Sequence, residues 1–184
     1  MLFLGTSLTA GYGLPSDQAF AALIQQRIDS EGLPFRTVNA GVSGDTSAGG
    51  LRRVDWLLRQ PIAVLVLELG ANDMLRGQGV EAMSENLQAI VDRLRQEHPA
   101  AKLLIAGMRA APNLGETYTR SFEASYAELA ERNDGVLIPF LLEGIAADPS
   151  LNQADGIHPT AEGHRILAET VWRSLRSLLE EPAP

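Results

Sequence analysis

The sequence predicts an α/β fold, a three-layer α/β/α sandwich around about five parallel strands. Short apolar runs alternate with longer amphipathic stretches along the chain, a pattern typical of parallel strands joined by helical crossovers. Residues 62–69 (IAVLVLEL) are almost continuously apolar, which indicates a strand buried on both faces. The length of 184 residues favours a single domain, residues 1–184.

The strands are predicted from short apolar runs. In chain order they are residues 2–4, 35–40, 62–69, 102–107 and 136–138. Pro34 comes directly before the second run, and Gly135 directly before the fifth. A doubly wound sheet of this size is flavodoxin-like, and its ligands bind outside the carboxyl ends of the strands.

Helices are predicted between and after these strands. In chain order they are residues 20–28, 47–59, 83–94, 116–132 and 167–178. Apolar side chains recur at helical spacing in the first, third and fifth helices, while Pro61 follows the second and Pro99 the third. The last residues, 180–184, are expected to fray.

The composition argues against several classes of function. The formal net charge is −8, and nucleic-acid binding needs a clustered basic face. The absence of cysteine excludes disulfides, thiolate metal sites and cysteine nucleophiles. No apolar stretch reaches the length of about 18 residues that a membrane span needs. No secretory leader precedes the first strand, which fits either a cytoplasmic protein or one whose leader was trimmed, and no signal of oligomeric state is present.

The first strand leads into a short segment with a serine between two glycines. Residues 5–11 read Gly-Thr-Ser-Leu-Thr-Ala-Gly, which places Ser7 at the carboxyl edge of the sheet. The flanking glycines allow a tight turn and a close approach by a substrate. Ser7 is therefore a candidate nucleophile, although a serine here also suits a helix N-cap.

Hydrogen-bond donors follow the second and third strands at the same edge. Residues 39–47 contain Gly41 and Gly44, and this loop either leaves backbone N–H groups free for a developing oxyanion or caps the next helix. Residues 70–73 (Gly-Ala-Asn-Asp) either offer the carboxamide of Asn72 as a further donor or form a turn bonded to its own backbone.

A histidine and an aspartate follow the fifth strand. Residues 155–159 read Asp-Gly-Ile-His-Pro, so a turn can bring the Asp155 carboxylate to one imidazole nitrogen of His158. Such a carboxylate holds the tautomer whose other nitrogen can act as a base. Together with Ser7 and the donor loops, the pair supplies a nucleophile, a base, an orienting acid and oxyanion donors at one sheet edge, which indicates acyl transfer.

At these residues the sequence resembles the SGNH hydrolases, also called the GDSL esterase/lipase family. The four blocks of that family resemble residues 5–9, 41–46, 70–73 and 155–159, which span nearly the whole chain. Within the family the likeness is to the small bacterial arylesterase, acyl-CoA thioesterase I and lysophospholipase L1 group. Thr6 departs from the Gly-Asp-Ser-Leu of the family. The reaction does not need that aspartate as acid or base, so the change bears only on a local hydrogen bond that an aspartate would make near Ser7.

The resemblance implies a serine hydrolase of carboxylic esters or thioesters that needs neither cofactor nor metal. Aryl esters, acyl-CoA and lysophospholipids are the substrates it suggests. It implies that Ser7 is the nucleophile, His158 the base and Asp155 the acid that orients His158. The implied oxyanion hole consists of the Ser7 and Gly44 backbone N–H groups and the Asn72 side chain.

Two loops at the rim of the site, residues 74–80 and 108–119, are expected to shape an acyl pocket. The apolar candidates for its wall are Met74, Leu75, Met108, Leu114 and Ile157. A polar residue in place of Leu114 is expected to weaken activity on long acyl chains more than on acetyl.

Other interpretations stay open at this point. The same machinery would serve a carbohydrate acetylesterase. In a different class, residues 6–11 are similar to a phosphate-binding loop that could hold FMN in a flavodoxin-like fold, although Asp155 and His158 would then be unexplained. Ser43 is a rival nucleophile. His164 is expected to be a surface or packing histidine, and no two histidines are spaced to chelate a metal.

Overall fold

The computed structural model describes residues 1–180 and shows a parallel sheet covered by helices on both faces. Within that range the five strands are β1 Leu2–Gly5, β2 Val38–Gly41, β3 Val64–Glu68, β4 Lys102–Ala106 and β5 Val136–Ile138. The α-helices of the same range are α1 Ser7–Ala10, α2 Phe20–Ser30, α3 Ser47–Leu57, α4 Ala71–Leu75, α5 Val80–Glu97, α6 Glu116–Arg132 and α7 Ala161–Glu180. The predicted α/β sandwich with parallel strands is confirmed.

The strands are hydrogen-bonded side by side in the order β2-β1-β3-β4-β5, and each pairing is parallel. Their carboxyl ends therefore meet along one edge of the sheet. The chain runs outward from β1 to β2 and then returns to β3 on the other side of β1, so the strand order reverses between β1 and β3. Doubly wound sheets bind their ligands at such a switch point.

The central strands are apolar because helices cover both of their faces. Every residue of β1 and of β3 is buried. Helix α2 packs against α7, while α5 packs against α3 and α6, so the sheet lies between two helical layers. The buried positions of α5 recur every three or four residues: Val80, Met83, Leu87, Ile90, Val91 and Leu94. This packing gives the loops at the carboxyl edge a rigid base.

Some boundaries differ from the sequence prediction. Strand β2 begins at Val38 rather than at residue 35, because the Thr37 N–H donates to Gln25 Oε1 of α2 (2.6 Å) instead of to a neighbouring strand. Helices α1 and α4 were not predicted, since helices of four and five residues are too short for a periodic pattern to show. Helix α7 reaches Glu180, and residues 181–184, where fraying is expected, lie outside the described residues.

No helix within residues 1–180 is both long enough and apolar enough to cross a membrane.

Candidate active site

Ser7 is the first residue of α1, at the point where β1 ends. Thr6 caps this helix: its backbone is extended and its side chain accepts the Leu8 N–H (3.4 Å). Thr6, rather than Ser7, therefore takes the capping role that the sequence left open. The Ser7 side chain is left to line the cleft above the sheet.

His158 and Asp155 form a chain of hydrogen bonds that ends on Ser7. The Nε2 atom of His158 lies 2.9 Å from Ser7 Oγ, and its Nδ1 atom lies 2.7 Å from Asp155 Oδ2. The other carboxylate oxygen, Asp155 Oδ1, accepts the backbone N–H groups of Ile157 (2.9 Å) and His158 (3.0 Å). The bonds from His158 and Ile157 hold the pKa of Asp155 well below its usual range, so the carboxylate is ionised beside the imidazole.

The loop that carries His158 is fastened to the segment after α1. The Gln153 N–H donates to the His158 carbonyl (2.7 Å), and Gln153 Nε2 donates to the carbonyls of Tyr12 (2.7 Å) and Pro159 (3.0 Å). The Tyr12 ring packs against the imidazole of His158 with ring centres 4.5 Å apart. These contacts position the imidazole relative to Ser7.

Gly44 and Asn72 are held together in the neighbouring loop. Gly44 has a φ of +79°, which glycine adopts without strain, and its carbonyl accepts Arg76 Nη2 (2.7 Å). Asn72 Nδ2 donates to the Asp45 carbonyl (2.9 Å), which leaves its second amide hydrogen available. Within residues 1–180, the N–H groups of Ser7 and Gly44 donate to no other protein atom and are therefore available to a ligand.

One part-buried ion pair and one buried carboxylate hold this loop from below. Arg53 pairs with Asp45 (2.8 Å) and also donates to the carbonyls of Ala40 and Gly5, at the ends of β2 and β1. Asp73 is buried and accepts both the N–H (2.8 Å) and the hydroxyl (2.6 Å) of Ser47 at the start of α3. The loops after β1, β2 and β3 thus form one connected framework.

These residues line a cleft of about 650 Å³ at the carboxyl edge of the sheet. Ser7, Gly44, Asn72 and His158 lie in its wall. The polar groups are joined by an apolar surface that contains Leu8, Met74, Leu75, Met108, Ala110, Phe140, Leu142 and Ile157. A volume of this size is typical of pockets that bind small organic molecules.

The placement of Leu114 differs from the expectation. It ends the 3-10 turn Pro112–Leu114 and lines a separate depression with Val80 and Tyr118, outside the cleft. The chain after β4 contributes Met108, Ala110 and Ala111 to the cleft and then turns away toward α5 and α6. Leu114 therefore does not line the cleft, contrary to the expectation.

The structure also shows where the alternative candidates Ser43 and His164 lie. Ser43 is an exposed residue of the cleft wall, and His158 faces Ser7 rather than Ser43. His164 is buried in α7, where its Nδ1 accepts the Phe20 N–H (3.1 Å), so it is a packing histidine. Among the described residues, no cluster of histidine and carboxylate side chains is placed to hold a metal ion.

Comparison with known proteins identifies the family. A profile of the GDSL-like lipase/acylhydrolase family matches residues 3–166. The chain belongs to this family. The resemblance inferred from the four sequence blocks is thereby confirmed, and the protein is a hydrolase.

Two named relatives match nearly the full chain. Esterase TesA of Pseudomonas aeruginosa is 41% identical over 180 residues, which cover 97% of this chain and 89% of that protein. The thioesterase 1/protease 1/lysophospholipase L1 of Escherichia coli is 36% identical over 181 residues, covering 97% of this chain and 84% of that protein.

The fold agrees with solved structures of esterases. The crystal structure of the psychrotrophic esterase EstA from Pseudoalteromonas sp., inhibited by monoethylphosphonate, has a TM-score of 0.90 at 33% identity over 98% of both chains. A flavin-binding role for the loop after β1 is not favoured, since this loop carries Ser7 and its contact to His158.

The sequence did not single out several residues that build the site. Tyr12, Gln153 and Arg53 act through contacts between segments far apart in the chain. Phe140 and Leu142 could have been found, because they follow the predicted fifth strand at the same edge as the other loops.

Proposed function

We propose that the chain hydrolyses carboxylic esters and thioesters, with Ser7 as nucleophile, His158 as general base and Asp155 as the acid that orients His158. The observation that carries the proposal is the continuous contact from Ser7 Oγ to His158 Nε2 (2.9 Å) and from His158 Nδ1 to Asp155 (2.7 Å). This is the arrangement by which a serine hydroxyl becomes a nucleophile at neutral pH.

In the first half of the reaction Ser7 Oγ attacks the acyl carbon while His158 Nε2 takes the hydroxyl proton. The carbonyl double bond opens, and its electron pair becomes an oxyanion. When the tetrahedral intermediate collapses, His158 returns the proton to the leaving oxygen or sulfur, and the acyl group stays on Ser7. Asp155 stabilises the imidazolium and is not itself protonated, in keeping with the lowered pKa of its carboxyl.

In the second half a water molecule attacks the acyl-Ser7 carbon. His158 takes the proton from this water and then gives it to Ser7 Oγ, so the carboxylic acid leaves and the enzyme returns to its starting state. Both tetrahedral intermediates place their negative charge at the same position.

The oxyanion would be stabilised by three donors that lie in the wall of the same cleft: the N–H groups of Ser7 and Gly44 and the side-chain amide of Asn72. The bonds from Arg76 to the Gly44 carbonyl and from Asn72 to the Asp45 carbonyl fix two of these donors before the substrate arrives. Donors that are already in place need little reorganisation in the transition state, and this makes them effective.

The apolar part of the cleft supports acyl chains longer than acetyl. Met108 and Phe140 lie deeper in the wall, whereas Leu75 (60% exposed) and Ile157 (54% exposed) lie at its rim. Relatives named as esterase and as thioesterase 1/protease 1/lysophospholipase L1 fit this range of ester and thioester substrates.

The proposal is tested by covalent labelling with an alkyl phosphonate ester, which transfers a phosphonyl group to an activated serine. We expect one equivalent to bind, with loss of activity, and peptide mass spectrometry to locate the group on Ser7. Label on Ser43 with activity lost in parallel would assign the nucleophile to Ser43 instead, and stoichiometric label without loss of hydrolysis would refute an acyl-serine route.

A further inference from the structure

Glu68 is a buried carboxylate that the proposed reaction does not use. It is the last residue of β3, 1% exposed, and it pairs in register with Gly5 at the end of β1. An ionisable side chain in such a place is costly unless hydrogen bonds satisfy it. It lies directly beside the turn that carries Ser7.

The Glu68 carboxylate is bound by the residues on either side of Ser7. Its Oε2 atom accepts the Thr6 N–H (2.8 Å), the Thr9 N–H (3.2 Å) and the Thr9 hydroxyl (2.7 Å). The Thr6 hydroxyl donates to Oε1 (2.8 Å) and also lies 3.1 Å from Oε2. Four donors from one turn of the chain therefore converge on a single side chain of a neighbouring strand.

The fit at this contact is tight. A Cβ atom on Gly5 would lie 2.0 Å from Thr9 Oγ1 and 2.6 Å from Glu68 Oε2, so only glycine allows the clamp to close over the end of β1. We call Glu68, Thr6 and Thr9 the Glu68 clamp. Burial raises the pKa of Glu68, while the hydrogen bonds from Thr6 and Thr9 oppose that rise.

The clamp determines which N–H groups of the turn remain available. Glu68 takes those of Thr6 and Thr9, and Thr6 Oγ1 takes that of Leu8. The Ser7 N–H has no acceptor within residues 1–180 and is the one proposed for the oxyanion. The N–H groups that hold the turn in place are therefore different from the N–H group that is proposed to bind the oxyanion.

We propose that Glu68 is a positioning residue of the hydrolase: through Thr6 and Thr9 it sets the direction of Ser7 Oγ toward His158 and keeps the Ser7 N–H turned to the cleft. This inference rests on the proposed role of Ser7. Thr6 supplies a hydroxyl donor to Glu68. An aspartate there would place a second carboxylate against the first.

The test removes one donor of the clamp rather than Glu68 itself, since replacing Glu68 would leave four donors without an acceptor. Thr9→Val keeps the shape of the side chain and deletes the hydroxyl, and Thr9→Ser restores it. Thr6→Val, which deletes the other hydroxyl, is measured alongside. Ser125→Ala is the matched control, because Ser125 is also buried and its hydroxyl donates to Phe122 in α6, outside the cleft.

For each variant the melting temperature, the kcat and KM for an aryl ester, and the rate of phosphonate labelling at Ser7 are measured. We expect Thr9→Val and Thr6→Val to lower kcat and the labelling rate on the order of 10-fold with KM unchanged, because small displacements of a reacting group are costly. Thr9→Ser should recover most of the rate. Ser125→Ala should lower the melting temperature and leave kcat unchanged.

If Thr9→Val and Thr6→Val lose stability as Ser125→Ala does but keep the wild-type kcat and labelling rate, Glu68 is only structural and the inference is wrong. If the wild-type protein is not labelled at Ser7 at all, the proposed function fails first. The labelling site of the wild type therefore distinguishes the two failures.

Discussion

At the scale of single residues, Asn72 differs from the other two proposed oxyanion donors because its donor is a side chain. The Ser7 and Gly44 donors belong to the backbone and survive any substitution that keeps the turn. The Asn72 carboxamide also ties α4 to the Asp45 carbonyl (2.9 Å). Its removal therefore probes the oxyanion hole and also breaks this bond, so the stability of the variant is measured beside its kinetics.

Asn72→Ala should lower kcat by about 100- to 1000-fold while KM changes little, because the lost hydrogen bond forms mainly in the transition state. Asn113→Ala, at an exposed asparagine of the turn after β4, is the matched control and should keep full activity. Steady-state kinetics on an aryl ester, with melting curves for both variants, make the comparison. An Asn72→Ala enzyme with wild-type kcat would remove Asn72 from the oxyanion hole.

The proposed site residues were predictable from the sequence because each lies in a segment that connects a strand to the next long helix. Ser7, Asn72 and His158 lie in short segments with glycine or proline, and the order of strands and helices puts them at one edge. Glu68 and Arg53 were not predictable as part of the site. Glu68 looks like one polar residue in an apolar strand, and its role depends on threonines that lie 59 and 62 positions away in the chain.

At the scale of secondary-structure elements, His164 joins α7 to the start of α2. Ala19 caps α2 without a side-chain hydrogen bond, and His164 Nδ1 instead accepts the Phe20 N–H (3.1 Å). The imidazole also stacks on the Phe20 ring at a distance of 6.2 Å. Burial lowers the pKa of His164 to about 4, with the charge of His158 as a smaller cause.

This contact should make the folding stability depend on pH. The ordinary pKa of His164 is 6.5 and the folded value is about 4, so between these values the unfolded chain binds a proton that the folded protein does not. The stabilisation is complete above pH 6.5, decreases as the pH falls, and is fully lost below pH 4. It amounts to up to about 3 kcal/mol.

His164→Gln keeps a hydrogen-bond acceptor that does not titrate. Urea unfolding of the variant and of the wild type between about pH 4 and pH 7 should give a smaller slope of unfolding free energy against pH for the variant, by about one proton. Parallel slopes for the two proteins would show that His164 does not carry this dependence.

The rim of the cleft allows a second test at this scale. Leu75 at the end of α4 lines the cleft, whereas Leu114 lines a separate depression, although both are exposed leucines. Leu75→Ser should lower kcat/KM for decanoyl esters more than for acetyl esters, since a buried methylene contributes about 0.8 kcal/mol. Leu114→Ser should leave the chain-length profile unchanged. If Leu114→Ser alters the profile and Leu75→Ser does not, the acyl chain lies in the depression beside Leu114 instead of in the cleft.

The elements themselves were predicted unevenly. Long helices such as α5 and the strand β3 were predicted correctly. A helix buried on one face shows apolar residues every three or four positions, and a strand buried on both faces shows a continuous apolar run. Helices α1 and α4 were not, and these carry Ser7 and Asn72. The position of Leu114 was also beyond a sequence argument, since the path of an irregular loop is set by what it packs against.

At the scale of the whole molecule, the sheet order explains why residues so far apart meet. His158 and Ser7 are 151 positions apart in the chain, yet their side chains are in hydrogen-bond contact. Strands β1 and β3 are neighbours at the switch point, so the loops that carry Ser7 and Asn72 face each other there. Helix α7 follows the His158 loop and packs on α2 and on strands β4 and β5.

Burst kinetics with p-nitrophenyl acetate show whether Ser7 forms an acyl intermediate. The wild type should release a rapid burst of about one p-nitrophenolate per active site, followed by steady turnover, if deacylation limits the rate. Ser7→Ala, shown to be folded by its melting curve, should give neither burst nor turnover above about one thousandth of the wild-type rate. A folded Ser7→Ala protein that hydrolyses the ester at the wild-type rate would contradict the account.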